Sequence, residues 1–290
     1  MKRLLVLALV PALLACSSNE DSEPVGTGTA PPGVTTPDTT VAPTTSAPTT
    51  AAPTTTEAPI EPITVLVTND DGIAAGGIDT VVTALGTLDW VEVVIVAPAE
   101  NQSGTSDSTS PSTPPSGAAT TASGVEGVAV QGFPADSVLL ALDQLGVTPD
   151  LVVSGINAGQ NIGPFVELSG TVGAARTAAR RGIPAVAASA GLVTEGEPDY
   201  ATVAELVLAW FDENKEALLD GTLPVAVTSI NAPSCAPGTE LRGVLEVPVA
   251  AVIPEGVDPF VTDCASTVEA PADDVAAVVN GFASISDPGF

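Results

Sequence analysis

Apolar and polar residues along this chain form short blocks that predict strands and helices in alternation. Nearly continuous apolar runs, such as those at 63–69 and 91–98, are typical of strands buried on both faces of a sheet. The predicted strands are 63–69, 91–98, 125–130, 149–154, 183–189 and 225–230, and the predicted helices are 78–88, 134–145, 171–181 and 201–216. This alternation predicts an α/β fold with a Rossmann-like, mostly parallel sheet and helices on both faces.

Two acidic residues follow the first predicted strand directly, in the segment Asn69, Asp70, Asp71 and Gly72. Adjacent carboxylates at the end of a buried strand repel each other and are costly to bury without a partner. The carboxyl ends of strands in an open α/β sheet are also where ligands bind. A divalent cation such as Mg²⁺ or Mn²⁺ takes oxygen ligands and would compensate both charges. The segment therefore indicates a metal site, although Asp-Asp-Gly alone is more often a solvated turn.

Three further polar segments follow predicted strands or begin a helix, at 101–104, 154–159 and 169–171. They supply hydroxyl and amide oxygens, and the last one supplies the free N–H groups of a helix N-terminus, which bind anions. Each segment alone has an ordinary explanation as a turn or a helix cap. Together with the two carboxylates, they are typical of metal-assisted phosphoryl chemistry.

The start of the chain is similar to a bacterial export signal. A basic beginning precedes an apolar stretch at 4–14 that is too short to span a bilayer comfortably. The stretch ends in Leu-Leu-Ala-Cys, which resembles a lipobox. We therefore predict a lipoprotein signal peptide at 1–15 and lipidation of Cys16. The alternative is an ordinary signal peptide cut near Ala15.

The composition changes abruptly at the end of the region 16–62. Thr, Pro, Ala and Ser dominate this region, which has too little apolar surface to offset the entropy of ordering, so we predict a disordered linker. The following residues, 63–290, are numerous and apolar enough for one α/β domain. The expected arrangement is an exported domain anchored to a membrane through lipid, at the cell surface or in the periplasm.

The net charge limits the kinds of molecule that the chain can bind, and the cysteines bear on its compartment. The chain has 35 Asp and Glu against 7 Lys and Arg, a formal net charge of −28 and no His. Nucleic-acid binding needs basic patches, so this composition excludes it. Cys235 and Cys264 remain besides Cys16. In an oxidising compartment they are candidates for a disulfide, and the alternative is two distant free thiols.

Several runs, taken in order and at their spacing, resemble the SurE family of metal-dependent phosphatases. These runs are VTNDDGI, VAPAENQSGTS, GFPADSV, PDLVVSGINAGQNIG, SGTVGAAR and GIPAVA, and the resemblance extends over about 63–286. It implies a Rossmann-like sheet with an extended C-terminal part that supports homodimers or homotetramers. It also implies hydrolysis of phosphate monoesters, chiefly nucleoside monophosphates as in a 5′-nucleotidase, with a divalent cation.

The resemblance implies roles for individual residues. The family's metal ligands fall on Asp70, Asp71, Ser103 and Asn157. The segment that faces the substrate phosphate falls on Ser169, Gly170 and Thr171. Since the chain has no His, one of the two Asp carboxylates is the candidate general acid or base.

The chain departs from the family pattern around these residues. The loop after SGINAG lacks most of the family's acidic residues and has Gly163–Glu167 instead, and Leu168 stands where the family commonly has Tyr. Ala74-Ala75-Gly76-Gly77 replaces His-Ala-Pro-Gly, and Thr177 stands where a Glu is common. These changes leave the predicted metal ligands intact. The properties that they are expected to affect are the substrate range, the oligomer contacts and the catalytic rate.

Three other functions compete with the phosphatase. A dinucleotide-binding oxidoreductase needs glycines in the first turn, where this chain has Asp70 and Asp71. A haloacid-dehalogenase-type phosphatase needs Asp-x-Asp after the first strand, which is absent there. The alternative from another class is a non-catalytic, surface-displayed lipoprotein that binds metal or nucleotide. Binding without turnover would identify that last alternative.

Overall fold

Residues 61–290 are described by the computed structural model, and they form a nine-stranded sheet with flanking helices. The strands are β1 (Ile63–Thr68), β2 (Val91–Pro98), β3 (Ser116–Thr120), β4 (Glu126–Val130), β5 (Leu151–Ala158), β6 (Ala185–Ala190), β7 (Val227–Ala232), β8 (Val244–Glu246) and β9 (Ala283–Ser286). The α-helices are α1 (Gly76–Leu85), α2 (Pro134–Asp143), α3 (Gly170–Arg180), α4 (Tyr200–Glu213), α5 (Lys215–Leu219) and α6 (Asp274–Val279), and a 3₁₀ helix covers Gly163–Glu167. The predicted signal peptide, the lipidation of Cys16 and the linker up to residue 60 lie outside the described residues.

The sheet is parallel through its centre and antiparallel near its ends. Its strand order is β3-β4-β2-β1-β5-β6-β7-β9-β8. The pairs from β4 through β2, β1, β5 and β6 to β7 are all parallel. β3 is antiparallel to β4, and β9 is antiparallel to β7. This mostly parallel sheet confirms the fold class predicted from the sequence.

Apolar residues cover both faces of the sheet because consecutive strand side chains point to opposite sides. In β1, Val65 and Val67 join the cluster that α1 and α4 cover, whereas Leu66 joins the cluster under α2 and α3. All three side chains are fully buried. Helices on both faces explain why the central strands read as continuous apolar runs.

The predicted strand at 149–154 ends too early, because the residues between it and the predicted helix at 171–181, which the sequence suggests are a loop at 155–169, belong in part to β5. β5 continues to Ala158, and Asn157 and Ala158 pair with Ser189 and Ala190 of β6 after a register shift. The Gly and Asn residues in this stretch resemble a loop composition, but pairing with β6 holds them in the sheet. The rest of the predicted loop contains the 3₁₀ helix at Gly163–Glu167.

The elements predicted from the sequence do not include β3, β8, α5 or α6. β3 has the sequence SGAAT and is largely exposed, so it lacks the apolar pattern of a strand and depends on antiparallel pairing with β4. The helix predicted at 201–216 ends at Glu213, and α5 begins after Asn214. Within residues 61–290, no helix is long and apolar enough to cross a membrane.

A disulfide bounds a mostly irregular region near the C-terminus, residues 235–264, which we call the disulfide segment. Cys235 and Cys264 are bonded, with their Cα atoms 5.7 Å apart. Buried Ala250 packs with Ile162 beside the 3₁₀ helix and with α6. The buried Asp274 carboxylate accepts hydrogen bonds from the Gly163 and Ala250 N–H groups, both at 2.8 Å. These contacts fix the segment beside the carboxyl end of β5.

Candidate metal and phosphate site

The structure gathers loops from distant parts of the chain around one cavity at the carboxyl ends of the central strands. The cavity has a volume of about 290 Å³. Asp70 after β1, Ser103 after β2, Asn157 in β5 and Ser169 before α3 all line it. The polar segments singled out in the sequence at 69–72, 101–104, 154–159 and 169–171 therefore each contribute a residue to one cavity.

The turn after β1 presents the two carboxylates. The buried Asn69 side chain accepts a hydrogen bond from the Gly72 N–H at 3.2 Å and donates one to the Gly72 carbonyl at 2.9 Å. Gly72 has φ +103°, a left-handed conformation that favours glycine. Asn69 and Gly72 thus close the turn and hold Asp70 and Asp71 between them.

Asp70 is almost completely buried, at 2 % exposure. Its carboxylate accepts hydrogen bonds from the Thr171 hydroxyl at 2.8 Å and from the Thr171 N–H at 3.2 Å. Burial, and then the nearby charge of Asp71, raise the pKa of Asp70 to about 6. A carboxylate in this environment is stabilised by a proton or by a cation.

Gly170 allows α3 to approach Asp70 this closely. A Cβ atom at Gly170 would lie 2.8 Å from the Asp70 Cβ and 2.9 Å from its Oδ2. Ser169 caps the same helix, because its Oγ accepts a hydrogen bond from the Val172 N–H at 3.0 Å. The Ser169 hydroxyl proton is therefore available to an acceptor in the cavity.

Asp71 lies beside the cavity, and backbone and amide donors hold it. Its Oδ2 accepts from the Ala158 N–H at 2.8 Å, and its Oδ1 accepts from the Asn101 amide at 3.0 Å. Burial raises the pKa of Asp71 despite these bonds. The Asn101 Oδ1 in turn accepts from the Ser103 N–H at 2.9 Å, so Asn101 joins the second loop to the first.

The donor set fits a hard divalent cation. The Asn157 Nδ2 donates to the Gly159 carbonyl at 2.6 Å, which fixes the amide and leaves its Oδ1 as the acceptor atom. Asp70, Ser103 and Asn157 bring carboxylate, hydroxyl and amide oxygens to one cavity. No group of three or more His, Cys, Asp or Glu that could hold a metal occurs within residues 61–290. A cation in this cavity would therefore meet few protein charges, as is common for Mg²⁺, which retains several waters.

Sequence reasoning missed two features of this site. Thr171, predicted to face phosphate, directs both its hydroxyl and its N–H at Asp70. The cavity also has apolar walls, formed by Phe165, Leu168, Leu192 and Phe260. Phe165 lies in the loop where the chain departs from the family pattern, but Phe260 is distant in sequence and gives no local signal.

Comparisons with known proteins agree with this architecture. The family model described as "Survival protein SurE" matches residues 65–251. A protein of Methanospirillum hungatei named "5'-nucleotidase SurE" is 42% identical over 157 residues, which cover 54% of this chain and 55% of that protein. A protein of the same name from Psychrobacter cryohalolentis is 35% identical over 195 residues, covering 62% of this chain and 68% of that one.

Structural similarity extends over more of the chain. The crystal structure of the SurE protein from Aquifex aeolicus has a TM-score of 0.59 and 28% sequence identity, and the match covers 78% of this chain and 93% of that one. The sequence match, by contrast, spans only about half the length of the first curated relative. Because the family model matches more than half of the residues, the chain belongs to the SurE family.

Proposed function

We propose that the domain at 63–290 hydrolyses phosphate monoesters, chiefly nucleoside 5′-monophosphates, with a divalent cation. The observation that carries the proposal is the buried Asp70 carboxylate, whose pKa is raised to about 6 at the wall of a cavity that Ser103 and Asn157 also line. The name "5'-nucleotidase SurE" of the similar proteins supports the choice of substrate.

Asp70, Asp71, Ser103 and Asn157 would hold the cation. Mg²⁺ or Mn²⁺ at these oxygens would polarise the phosphoryl group and lower the pKa of a bound water. Thr171 positions the Asp70 carboxylate through its two hydrogen bonds. Asn101 and the Ala158 N–H do the same for Asp71.

The start of α3 would bind the substrate phosphate. The Ser169 hydroxyl lines the cavity and can donate its proton to a phosphate oxygen. Gly170 and Thr171 form the first turn of α3, whose positive dipole end favours an anion. This local attraction offsets the repulsion that the net charge of −28 exerts on an anionic substrate.

Asp71 is the better candidate for the proton-transfer step. It is partly exposed and can be reached by water, whereas Asp70 is buried at 2 % exposure. As general base, an Asp71 oxygen would accept the proton of the attacking water, and as general acid it would return that proton to the leaving alcohol oxygen.

A phosphate-release assay tests this function. Protein supplied with Mn²⁺ or Mg²⁺ is expected to release phosphate from nucleoside monophosphates, and Asp71→Asn is expected to abolish release. Asp212→Asn, an exposed change on α4, serves as the matched control and should keep full activity. Metal and nucleotide binding without any phosphate release would instead favour the non-catalytic binding protein.

The proposal extends to where the domain works. The predicted lipobox at Cys16 would anchor the domain to a membrane through lipid, with residues 16–62 as the linker, on the outside of the cell. The bond between Cys235 and Cys264 supports this location, because disulfides persist in oxidising compartments. Radiolabelled palmitate should label the wild-type chain and not Cys16→Ser. Unlabelled wild-type chain would exclude the anchor.

The assembly is part of the same proposal. The family resemblance implies a homodimer or a homotetramer built on the C-terminal part of the domain. Light scattering coupled to size-exclusion chromatography should report a mass two or four times that of the monomer. A monomeric mass at all tested concentrations would exclude both assemblies.

A further inference from the structure

The candidate metal cavity has an apolar part that the phosphatase chemistry leaves unused. Phe165 and Phe260 line it together with Asp70 and Asn157. The two rings contact each other, with centroids 5.2 Å apart and planes tilted by 43°. Phe260 is 46% exposed although it is large and apolar. Apolar groups that converge with a few polar ones in one cavity are the usual composition of a small-molecule site.

Hydrogen bonds hold the Phe260 side of this cavity in position. The side chain of Gln160 is buried, its amide nitrogen donates to the Pro259 carbonyl, and its Oε1 accepts from the Leu192 N–H at 2.9 Å. The Phe260 N–H donates to Asp258 at 3.0 Å. The disulfide at Cys264 closes the segment a few residues later. The ring is thus held at the cavity in advance, which lowers the entropy cost of binding.

The chemistry of these rings selects a flat, uncharged aromatic ligand group. Aromatic side chains bind planar groups by stacking or edge contact, and every nucleobase has a π-face that can be used this way. An uncharged base also gains this contact without the repulsion that a domain of net charge −28 exerts on anions.

We propose that Phe165 and Phe260 bind the base of a nucleotide whose phosphate lies at Ser169 in the same cavity, beside the cation that Asp70 would hold. This inference rests on the proposed function for the position of the phosphate. It makes the preferred substrates phosphate esters that carry an aromatic base, and it assigns the base site to residues on the 3₁₀ helix and on the disulfide segment.

Adenosine alone is the probe for this site, because its binding requires neither metal nor turnover. Calorimetric titration should detect binding to the wild-type domain. Phe260→Ala and Phe165→Ala are each expected to raise the Kd about tenfold, since base–aromatic stacking is lost. Val261→Ala is the matched control: Val261 is the exposed neighbour of Phe260, at 62% exposure, and does not line the cavity. This control should keep the wild-type Kd.

Two more variants separate the aromatic character of the ring from its size. Phe260→Leu retains an apolar side chain and should raise the Kd for adenosine, whereas Phe260→Tyr should keep it near the wild-type value. Equal binding by Phe260→Leu and the wild type would overturn the stacking role. Thermal melting of each variant checks that the domain remains folded.

Kinetics with two substrates tests the base site in the working protein. Phe260→Ala should raise the KM for AMP about tenfold with little change in kcat, because the reacting atoms lie elsewhere. The same variant should leave the KM for glycerol phosphate, which has no base, unchanged. An equal rise for both substrates would overturn the proposal, because it would indicate a general change in the cavity.

These measurements separate the base site from the phosphatase function. If the wild-type domain binds adenosine but releases no phosphate from any ester, the proposed function fails and the base site stands. If phosphate is released from AMP and glycerol phosphate at equal kcat/KM and adenosine does not bind, the base site fails and the phosphatase function stands.

Discussion

The polar end of the cavity and the disulfide segment beside it are built in different ways. At the polar end, Asp70, Ser103 and Asn157 come from loops and strand ends of the central sheet, and short recognisable motifs carry them. The disulfide segment has little regular structure, and a covalent bond and buried polar contacts hold it. The comparison shows that one cavity can combine polar side chains, which the sheet positions, with apolar walls, which an irregular segment contributes.

Replacing Asp70 should give the largest effect on the polar end. Asp70→Asn is expected to lower kcat/KM by more than about a hundredfold, because changing even an outer partner of a metal ligand costs 10- to 100-fold. The same change removes a buried charge, so the metal-free variant should melt at a higher temperature than the metal-free wild type at pH 7. Phosphate release and calorimetry measure the two effects. A variant with full activity would show that the polar end is not the site.

Removing the support of Asp70 should have the next largest effect. Thr171→Val keeps the shape of the side chain but loses the hydroxyl that donates to Asp70 at 2.8 Å. We expect the Kd for Mn²⁺ to rise by about 10- to 100-fold. Thr177→Val is the matched control on the same helix, since the Thr177 hydroxyl donates to the Gly173 carbonyl within α3. Equal Kd values for the two variants would contradict the positioning role of Thr171.

Acid should weaken metal binding at the polar end. The pKa of Asp70 in the metal-free protein is raised to about 6, so protons compete with the cation as the pH falls below that value. The Kd for Mn²⁺ should therefore rise about tenfold between pH 7 and pH 5 and change little between pH 7 and pH 8. Titration calorimetry across this range gives the profile. A Kd that is independent of pH would remove Asp70 from the set of metal ligands.

The sequence predicts the polar end well because its residues obey local rules. Asp70 and Asp71 follow an apolar run, and polar residues at strand ends meet at one edge of a parallel sheet whatever the loop details. The hydrogen bonds from Thr171 to Asp70 are harder to predict from the sequence, since a helix N-terminus alone suggests a site for an anionic ligand. Only the three-dimensional packing of α3 on β6 and on β5, the strand next to β1, turns that N-terminus towards a carboxylate.

The disulfide segment could not be predicted to the same extent. Its cysteines suggested a bond only through their expected compartment, and nothing in the sequence around Phe260 points to a cavity. Phe260 meets Phe165 because the side chains of Gln160 and Asp274 form hydrogen bonds with the backbone of the segment, and such bonds leave no periodic pattern in the sequence. Strand β3 escaped prediction for a similar reason, since pairing with β4 and not apolar burial maintains it.

Removing the disulfide should have the smallest effect on the metal site and so separates the two regions most directly. The bond joins residues 29 positions apart. Closing a loop of that length stabilises a fold by roughly 3 to 4 kcal/mol in the chain-entropy account. The double change Cys235→Ser and Cys264→Ser should therefore lower the melting temperature. It should also weaken adenosine binding, because the segment that carries Phe260 loses its covalent restraint and keeps only its hydrogen bonds.

The Kd of the same double variant for Mn²⁺ should stay within about twofold of the wild type, because the sheet positions the cation ligands without the segment. If the affinity for Mn²⁺ falls as much as the affinity for adenosine, the two regions form one cooperative unit and the contrast drawn between them fails. If only the affinity for adenosine falls, the sheet alone positions the residues of the polar end. Apolar residues of the disulfide segment could then change without lowering the affinity for Mn²⁺. The preference for one substrate over another could then change without a change in metal binding or in the hydrolysis reaction.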